Sequence, residues 1–272
     1  MNKIKNLASF SIIFFSFLIS FKLKTLINYP DLEVKKQMVK NSFSSTFLKV
    51  FGLGQERLFS SMLWIDTLID ADNEHYQGKD LKSWMYLRFK TISELDPYFY
   101  QNYRFGGLYL SILKDDKLGA KDIYDRGLRY FPNDLELLKN AAFHYRFELA
   151  DFQNALSLYE RASALPGFPP FLRGVLARLR NNQDDPKGAL EIIKDMFEKA
   201  PEGSELKDKL HLSYYSLRAQ IDLKCLNSAK NNGSELDDCS RIDLEGNPYI
   251  KDKQGVYQAA REYKYFDLNS TK

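Results

Sequence analysis

The sequence predicts an all-α protein built as a solenoid of repeated helix pairs. A small residue recurs at intervals of 35 and 34 residues, a large side chain follows each small residue four positions later, and each unit closes at or near a proline. The small residues are Ala120, Ala155 and Ala189, and the large residues are Tyr124, Tyr159 and Ile193. A fixed period of this length is typical of helix pairs that bury their apolar faces only against neighbouring pairs.

The composition favours a folded chain that does not bind nucleic acid. Of its 272 residues, 44% are hydrophobic and 14% are aromatic, which is enough apolar surface for a packed core. Its 39 Lys and Arg residues nearly balance 36 Asp and Glu residues, for a net charge of +3. No cationic run has the form of a basic stripe on one face, so we expect no nucleic-acid partner.

No group of residues has the spacing of a catalytic or metal-binding site. The three histidines and two cysteines do not fall in a zinc-binding pattern. The acidic pairs at 115–116 and 184–185 lie between predicted helices, where aspartates cap helix N-termini. The Gly-Leu-Gly sequence at 52–54 lacks the preceding strand and following Gly-Lys-Ser/Thr of a phosphate-binding loop. We therefore expect no enzymatic activity, no cofactor and no metal ion.

The N-terminus carries an apolar run at residues 7–21, with lysines on both sides. The run is short for a full membrane span and has the length of a signal-peptide core, but no small-x-small cleavage site follows it. We interpret residues 1–26 as an uncleaved signal anchor, a transmembrane helix whose flanking lysines extend the span. The alternative is an export signal that is removed by cleavage.

The flanking lysines leave the orientation of this anchor open by charge. We expect a single pass through the inner (cytoplasmic) membrane, with the large domain in the periplasm. Cys225 and Cys239 would then lie in an oxidising compartment, which permits a disulfide between them. The alternative for this pair is two free thiols.

Helical periodicity extends on both sides of the three repeats. A polar tether is expected at 27–54, a degenerate helix pair at 55–97, three repeat units at 98–201 and a capping helix at 202–232. The degenerate pair has an apolar stripe at Leu58, Met62, Ile65 and Ile69. The capping helix has a stripe expected to be buried: Leu206, Leu210, Tyr214, Leu217 and Ile221. The tail at 233–272 is predicted to contain a small hairpin, in which residues 247–251 and 255–258 flank a polar turn.

The junctions between units resemble those of tetratricopeptide repeats (TPRs). In the first unit a proline precedes a set of large and small residues at fixed positions: Pro97, Tyr103, Gly107, Ala120, Tyr124 and Gly127. The second unit repeats the order with Leu138, Ala142, Tyr145, Ala155, Tyr159 and Ala162. The third keeps Ala177, Ala189, Ile193 and Pro201 but has Arg173 where a large aromatic residue is usual. Small residues at helix crossings allow helix axes to approach to about 8–10 Å. The resemblance implies a right-handed α-solenoid of TPR-like pairs.

The resemblance also implies that the first helix of each pair lines a concave groove for a protein segment. The candidate groove residues are Arg104, Leu108, Lys139, Phe143, Arg146, Phe147, Arg178 and Asn181. Cationic and aromatic side chains together favour an acidic segment, or a C-terminal carboxylate with apolar anchors. The expected partners are therefore proteins, together with the membrane that holds the anchor.

These features predict a membrane-anchored scaffold that mediates protein–protein interactions. The anchor and the resemblance favour a role in assembling a bacterial envelope complex, such as a pilus, a secretion system or a surface-polysaccharide system. Two alternatives from other classes remain. One is a periplasmic solenoid that binds a glycan or cell-wall polymer, and the other is a helical regulatory subunit of an enzyme. Fold alone does not decide among these functions.

Overall fold

The computed structural model describes most of the chain beyond its N-terminal segment. The described residues are 44–71, 75–232, 239–264 and 266, with 14–16, 19 and 22 near the N-terminus. The chain divides into two units, Met1–Asn41 and Ser42–Lys272, and every helix and strand named below belongs to the second. The anchor expected at 1–26 lies largely outside the described residues. Among those that are described, no helix has the length and apolar character needed to cross a membrane.

The second unit is a series of helices followed by a small antiparallel hairpin. The helices are α1 (Ser45–Phe51), α2 (Glu56–Ile69), α3 (Trp84–Leu95), α4 (Tyr100–Ile112), α5 (Lys117–Tyr130), α6 (Leu135–Phe147), α7 (Phe152–Ser163), α8 (Pro170–Asn182), α9 (Pro186–Lys199) and α10 (Glu205–Asn232). Strands β1 (Ile250–Lys251) and β2 (Tyr257–Gln258) pair Ile250 with Gln258 and Lys251 with Tyr257. This hairpin lies where the tail sequence predicts one.

Consecutive helices pack against each other along the whole series. The pairs are α2–α3, α4–α5, α6–α7 and α8–α9, and α10 packs on α9 as the first helix of a further unit would. Contacts between α4 and α6 place the first helices of two units side by side. The all-α class and the serial packing of helix pairs are thus confirmed. Below, α4, α6 and α8 are called the A helices, and α5, α7 and α9 the B helices.

The turn between the A and B helices has the same backbone plan in all three units. A residue with positive φ directly precedes an aspartate that caps the B helix: Asp115 and Asp116, Ala150 and Asp151, Asp184 and Asp185. Each capping carboxylate accepts a hydrogen bond from the backbone N–H three residues later, at 2.8, 3.1 and 2.9 Å. The interpretation of the acidic pairs as caps is confirmed, and the turns recur at the spacing of the alanines.

Small residues lie where the two helices of a pair approach each other. All six predicted small positions are buried: Gly107, Ala120, Ala142, Ala155, Ala177 and Ala189. A methyl group added at Gly107 would lie 2.5 Å from the Tyr124 ring, and one at Gly127 would lie 2.6 Å from Cβ of Tyr103. A tyrosine of the facing helix therefore packs against each glycine, and a larger residue would push the two helix backbones apart.

The tail is held on α10 by both covalent and polar links. Cys225 of α10 forms a disulfide with Cys239. Tyr215 donates a hydrogen bond to Asp243 at 2.8 Å, and Tyr249 of the tail donates one to Asp222 of α10 at 3.1 Å. Farther along, Phe266 is buried in a cluster with side chains of α8, α9 and α10: Ala177, Ala189, Ile193 and Leu217. The tail therefore covers the last helix pair of the series.

In two helices, the residues that are buried differ from those that helical periodicity predicts. In α10, Leu210 and Leu217 are buried, but Leu206 is 53% exposed, so its expected burial is wrong. Leu206 lies in the first turn of α10.

In α2 the large apolar residues of the stripe are more than half exposed: Leu58, Met62, Ile65 and Ile69. The inner side of α2 instead carries Ser60 and Thr67, which are fully buried. Their hydroxyls donate to the helix carbonyls of Glu56 and Leu63, at 2.9 and 2.5 Å. These two small side chains lie in the contact beside Leu63 and Trp64, which pack against the core.

Candidate protein-binding groove

The A helices carry the candidate groove residues, and polar contacts link those residues across neighbouring units. Arg104 of α4 reaches Glu136 of α6 at 3.4 Å. Lys139 of α6 contacts the same carboxylate at 2.6 Å. Two of the predicted groove cations are therefore held by one acidic side chain of the groove itself. Sequence analysis did not include Glu136, although its place on the first turn of α6 is the signal that could have found it.

Arg146 and Arg178 form a second cationic group, between α6 and α8. Burial lowers the pKa of both guanidinium groups, and the charge of Arg146 lowers the pKa of Arg178 further. Neither arginine forms an ion pair with a carboxylate in the described part of the chain. Arg178 Nη1 is 3.4 Å from the Gly174 carbonyl oxygen, and its buried Nε has no hydrogen-bond partner among these residues. The pair thus concentrates positive charge that the fold leaves without a counterion in this region.

Two exposed aromatic rings lie beside this cationic pair. Phe143 and Phe147, one turn apart on α6, are 54% and 55% exposed, and their ring centroids are 4.5 Å apart. The Arg146 guanidinium lies 4.5 Å from the Phe147 ring centroid, in cation–π geometry. On α4, Leu108 is 40% exposed. Apolar surface and unneutralised charge are therefore adjacent on α6.

In the third unit, the tail of the same chain contacts two of the candidate groove residues. The Arg178 guanidinium lies 5.0 Å from the Phe266 ring centroid. The side-chain amide of Asn181 donates a hydrogen bond to the Phe266 carbonyl oxygen. Arg178 and Asn181 thus bind a ring and a backbone carbonyl of the same chain. No local sequence signal could have predicted Phe266 here, since 85 residues separate it from Asn181.

His144 is buried where α6 meets α4 and the start of α5. It is 2% exposed, with Nδ1 3.2 Å from Ser111 Oγ and Nε2 2.9 Å from the Lys117 carbonyl oxygen. Burial lowers the pKa of His144, which favours the neutral ring at physiological pH. It thereby joins α6 to α4 and to the start of α5.

The candidate groove residues combine two chemical groups that recognise protein segments. Guanidinium groups bind carboxylates through paired charge-assisted hydrogen bonds, and exposed phenylalanine rings bury apolar side chains. Within the described ranges, no group of three His, Cys, Asp or Glu side chains is placed to hold a metal ion. The arrangement can therefore bind and orient an anionic, apolar segment.

No family model and no curated protein matches the chain. The fold defines a structural class of protein. The described part of the chain is a helical protein whose consecutive helix pairs pack in series, consistent with a helical-repeat solenoid.

Proposed function

We propose that this protein is a TPR-like scaffold that binds an acidic, aromatic segment of another protein in the groove of its A helices. The observation that carries the proposal is the Arg146–Arg178 pair beside Phe143 and Phe147. A partly buried cation without a counterion is costly, and a ligand carboxylate offsets that cost. Each charge-assisted hydrogen bond formed in this way contributes about 1.5–3 kcal/mol.

The tail contact supports the kind of ligand that we propose. Asn181 binds a main-chain carbonyl and Arg178 lies over an aromatic ring, both of Phe266 in the tail of the same chain, and a peptide ligand would make the same kinds of contact. Phe143 and Phe147 extend the apolar surface along α6, where a second anchor side chain of the ligand would be buried. Alternating anchors and backbone contacts are a common way for grooves to recognise peptides.

We further propose that the scaffold is exported and remains anchored in the inner membrane, where it assembles an envelope complex. The apolar run at residues 7–21 supports the anchor. The Cys225–Cys239 disulfide supports an oxidising compartment such as the periplasm, because disulfides persist there and are rare in the cytosol. A right-handed TPR superhelix would present the groove as its concave face.

Removing Arg146 and Arg178, which have no carboxylate partner among the described residues, is expected to abolish most peptide binding. The probe is an acidic, aromatic peptide selected from a display library on the full chain, and its Kd is measured by fluorescence anisotropy. Arg146→Ala combined with Arg178→Ala should weaken binding on the order of 100-fold, from the loss of two charge-assisted contacts. Arg146→Ala alone should cost about tenfold and leaves the contacts of Phe266 intact.

The matched control removes two cations from the B helices, where Arg129 and Lys194 are exposed. Arg129→Ala with Lys194→Ala makes the same change in net charge and should leave Kd within about twofold, because exposed charges outside the contact contribute little. If the two double variants weaken binding equally, general charge attraction explains the affinity. Selection of neutral peptides alone would also contradict the proposal.

A further inference from the structure

The end of α1 and the turn that follows it expose an unusual amount of apolar surface. Val50, Phe51 and Leu53 are 66%, 67% and 88% exposed, and Leu58 at the start of α2 is 54% exposed. We call these four residues the α1 wedge. Large exposed apolar side chains that lie this close together in the chain are typical of a binding site for a protein or a membrane.

The wedge is presented by a helix whose other side is fixed to the fold. Leu48 of α1 is buried, and Ser45 Oγ donates a 2.5 Å hydrogen bond to Glu94 of α3. Gly52 is also buried, and a methyl group added there would meet the Leu48 carbonyl oxygen and the Phe59 ring. These contacts hold α1 against the helix series. The wedge therefore lies on a helix that is fixed to the rest of the fold.

Leu53 occupies a backbone conformation that suits glycine better than leucine. Its φ is 49°, in the left-handed region, and it lies between Gly52 and Gly54. A bulky side chain is disfavoured in this region, whereas glycine enters it freely. The most exposed apolar side chain of the wedge is thus held at a position where it costs the fold stability, a property that recurs at functional sites.

The charge around the wedge identifies the kind of surface it fits. Among the described residues 44–58, the cations Lys49 and Arg57 are exposed, and the single acidic residue, Glu56, is half-buried. Lys49 lies on α1 next to the apolar residue Val50. Apolar side chains mixed with lysines are typical of segments that lie in the headgroup region of anionic bilayers. Pairing with a second copy would instead bring like charges of the two chains together.

We propose that the α1 wedge inserts into the headgroup region of an anionic lipid bilayer, with Leu53 as its tip and Lys49 facing lipid phosphates. Insertion at this point would fix the distance and tilt of the helix series relative to the membrane surface. This contact is separate from the groove, so peptide binding and wedge insertion can fail independently.

The test places an environment-sensitive NBD label next to the wedge in the full chain. Gln55 is exposed and its side chain makes no cap hydrogen bond, so Gln55→Cys provides the attachment site, while the native cysteines are held in their disulfide. The labelled protein is reconstituted in phosphatidylcholine vesicles with or without phosphatidylglycerol, each containing spin-labelled lipid. We expect a blue shift and lipid-dependent quenching at position 55, several-fold stronger with phosphatidylglycerol.

Two Leu53 variants and one control label make the result specific. Leu53→Asp should abolish the quenching, and Leu53→Gly should reduce it without lowering thermal stability, because glycine relieves the left-handed backbone. The same label at Glu202→Cys, an exposed site before α10, should show little quenching in any vesicle. Equal quenching at 55 and 202, or quenching that ignores both Leu53 variants, would overturn the proposal. A blue shift of the label that depends on protein concentration instead of lipid would indicate that the wedge contacts a second copy of the chain. That result would also overturn the proposal.

Discussion

Gly107→Ala is expected to lower the free energy of unfolding by about 2 kcal/mol, because overpacking of a tight helix contact typically costs 1–3 kcal/mol. The added methyl group would lie 2.5 Å from Cζ of Tyr124 on the facing helix. Tyr124 is buried and cannot swing into solvent. The α4–α5 contact must therefore open, which loses packing along both helices. The measurement is urea unfolding of the full chain followed by circular dichroism.

A second helix-interior glycine provides the control for this experiment. A methyl group at Gly174 in α8 would meet only the end of the Arg178 side chain, at 3.7 Å. Gly174→Ala is therefore expected to stabilise the protein by about 0.5–1 kcal/mol, the usual gain when alanine replaces glycine in a helix. Opposite signs for the two variants would support close A–B contact at Gly107. Stabilisation by both variants would contradict the packing described here.

Raising the pH from 10 to 12 is expected to destabilise the protein strongly, because buried and half-buried tyrosines link its elements by hydrogen bonds. Five tyrosine hydroxyls donate hydrogen bonds to aspartates of other elements or of the tail: Tyr86, Tyr100, Tyr145, Tyr215 and Tyr249. Burial, with the neighbouring aspartates, raises the pKa of Tyr100, Tyr145 and Tyr215 to about 12. The same causes raise the pKa of Tyr86 and Tyr249.

The sign of the effect follows from these pKa directions. A phenol whose pKa is higher in the folded state stabilises the fold fully below its unfolded pKa of about 10. That stability is lost as the pH rises through the folded pKa. Solvent screens these partly exposed groups, so each hydrogen-bonded phenol contributes on the order of 1 kcal/mol. The five together are comparable to the lower end of a typical total stability of 5–15 kcal/mol.

The alkaline transition is measured as thermal stability from pH 8 to pH 11.5, with tyrosinate absorbance recorded in parallel. Tyr145→Phe is the matched variant, because its partner Asp125 keeps a contact with Lys121 at 2.7 Å. We expect this variant to lose about 1 kcal/mol at pH 8 and to show a shallower decline above pH 10. A stability that stays constant to pH 11.5 would contradict the role assigned to these tyrosines.

The features that the sequence predicted well depend on residues that lie close together in the chain. Ala120, Ala155 and Ala189 recur because each helix pair repeats the same local contact, so their spacing reports the solenoid directly. Asp116 and Asp185 cap helices through backbone groups three residues away, which is also local. The hairpin at 250–258 depends on a turn of a few residues.

Other features depend on which surfaces meet, and periodicity carries no such information. The apolar stripe of α2 has good helical spacing, but the fold packs the opposite side of the helix, which carries Ser60 and Thr67. The unit containing Ala150 lacks the acidic pair of its neighbours, so the repeat of the positive-φ turn was not visible in the sequence. In the groove, Glu136 neutralises Arg104 and Lys139 through contacts that depend on side-chain placement.

The central claim is that the surface around Arg146 and Arg178 binds a segment of another protein, and site-specific photo-crosslinking in native membranes tests it most directly. A photoreactive phenylalanine analogue replaces Phe147 in the groove or Tyr130, which is exposed on the B helix α5. We predict a discrete adduct from position 147 that disappears when Arg146 and Arg178 are both changed to alanine. Identical adducts from positions 147 and 130, or an adduct at 147 that persists without the two arginines, would contradict the claim.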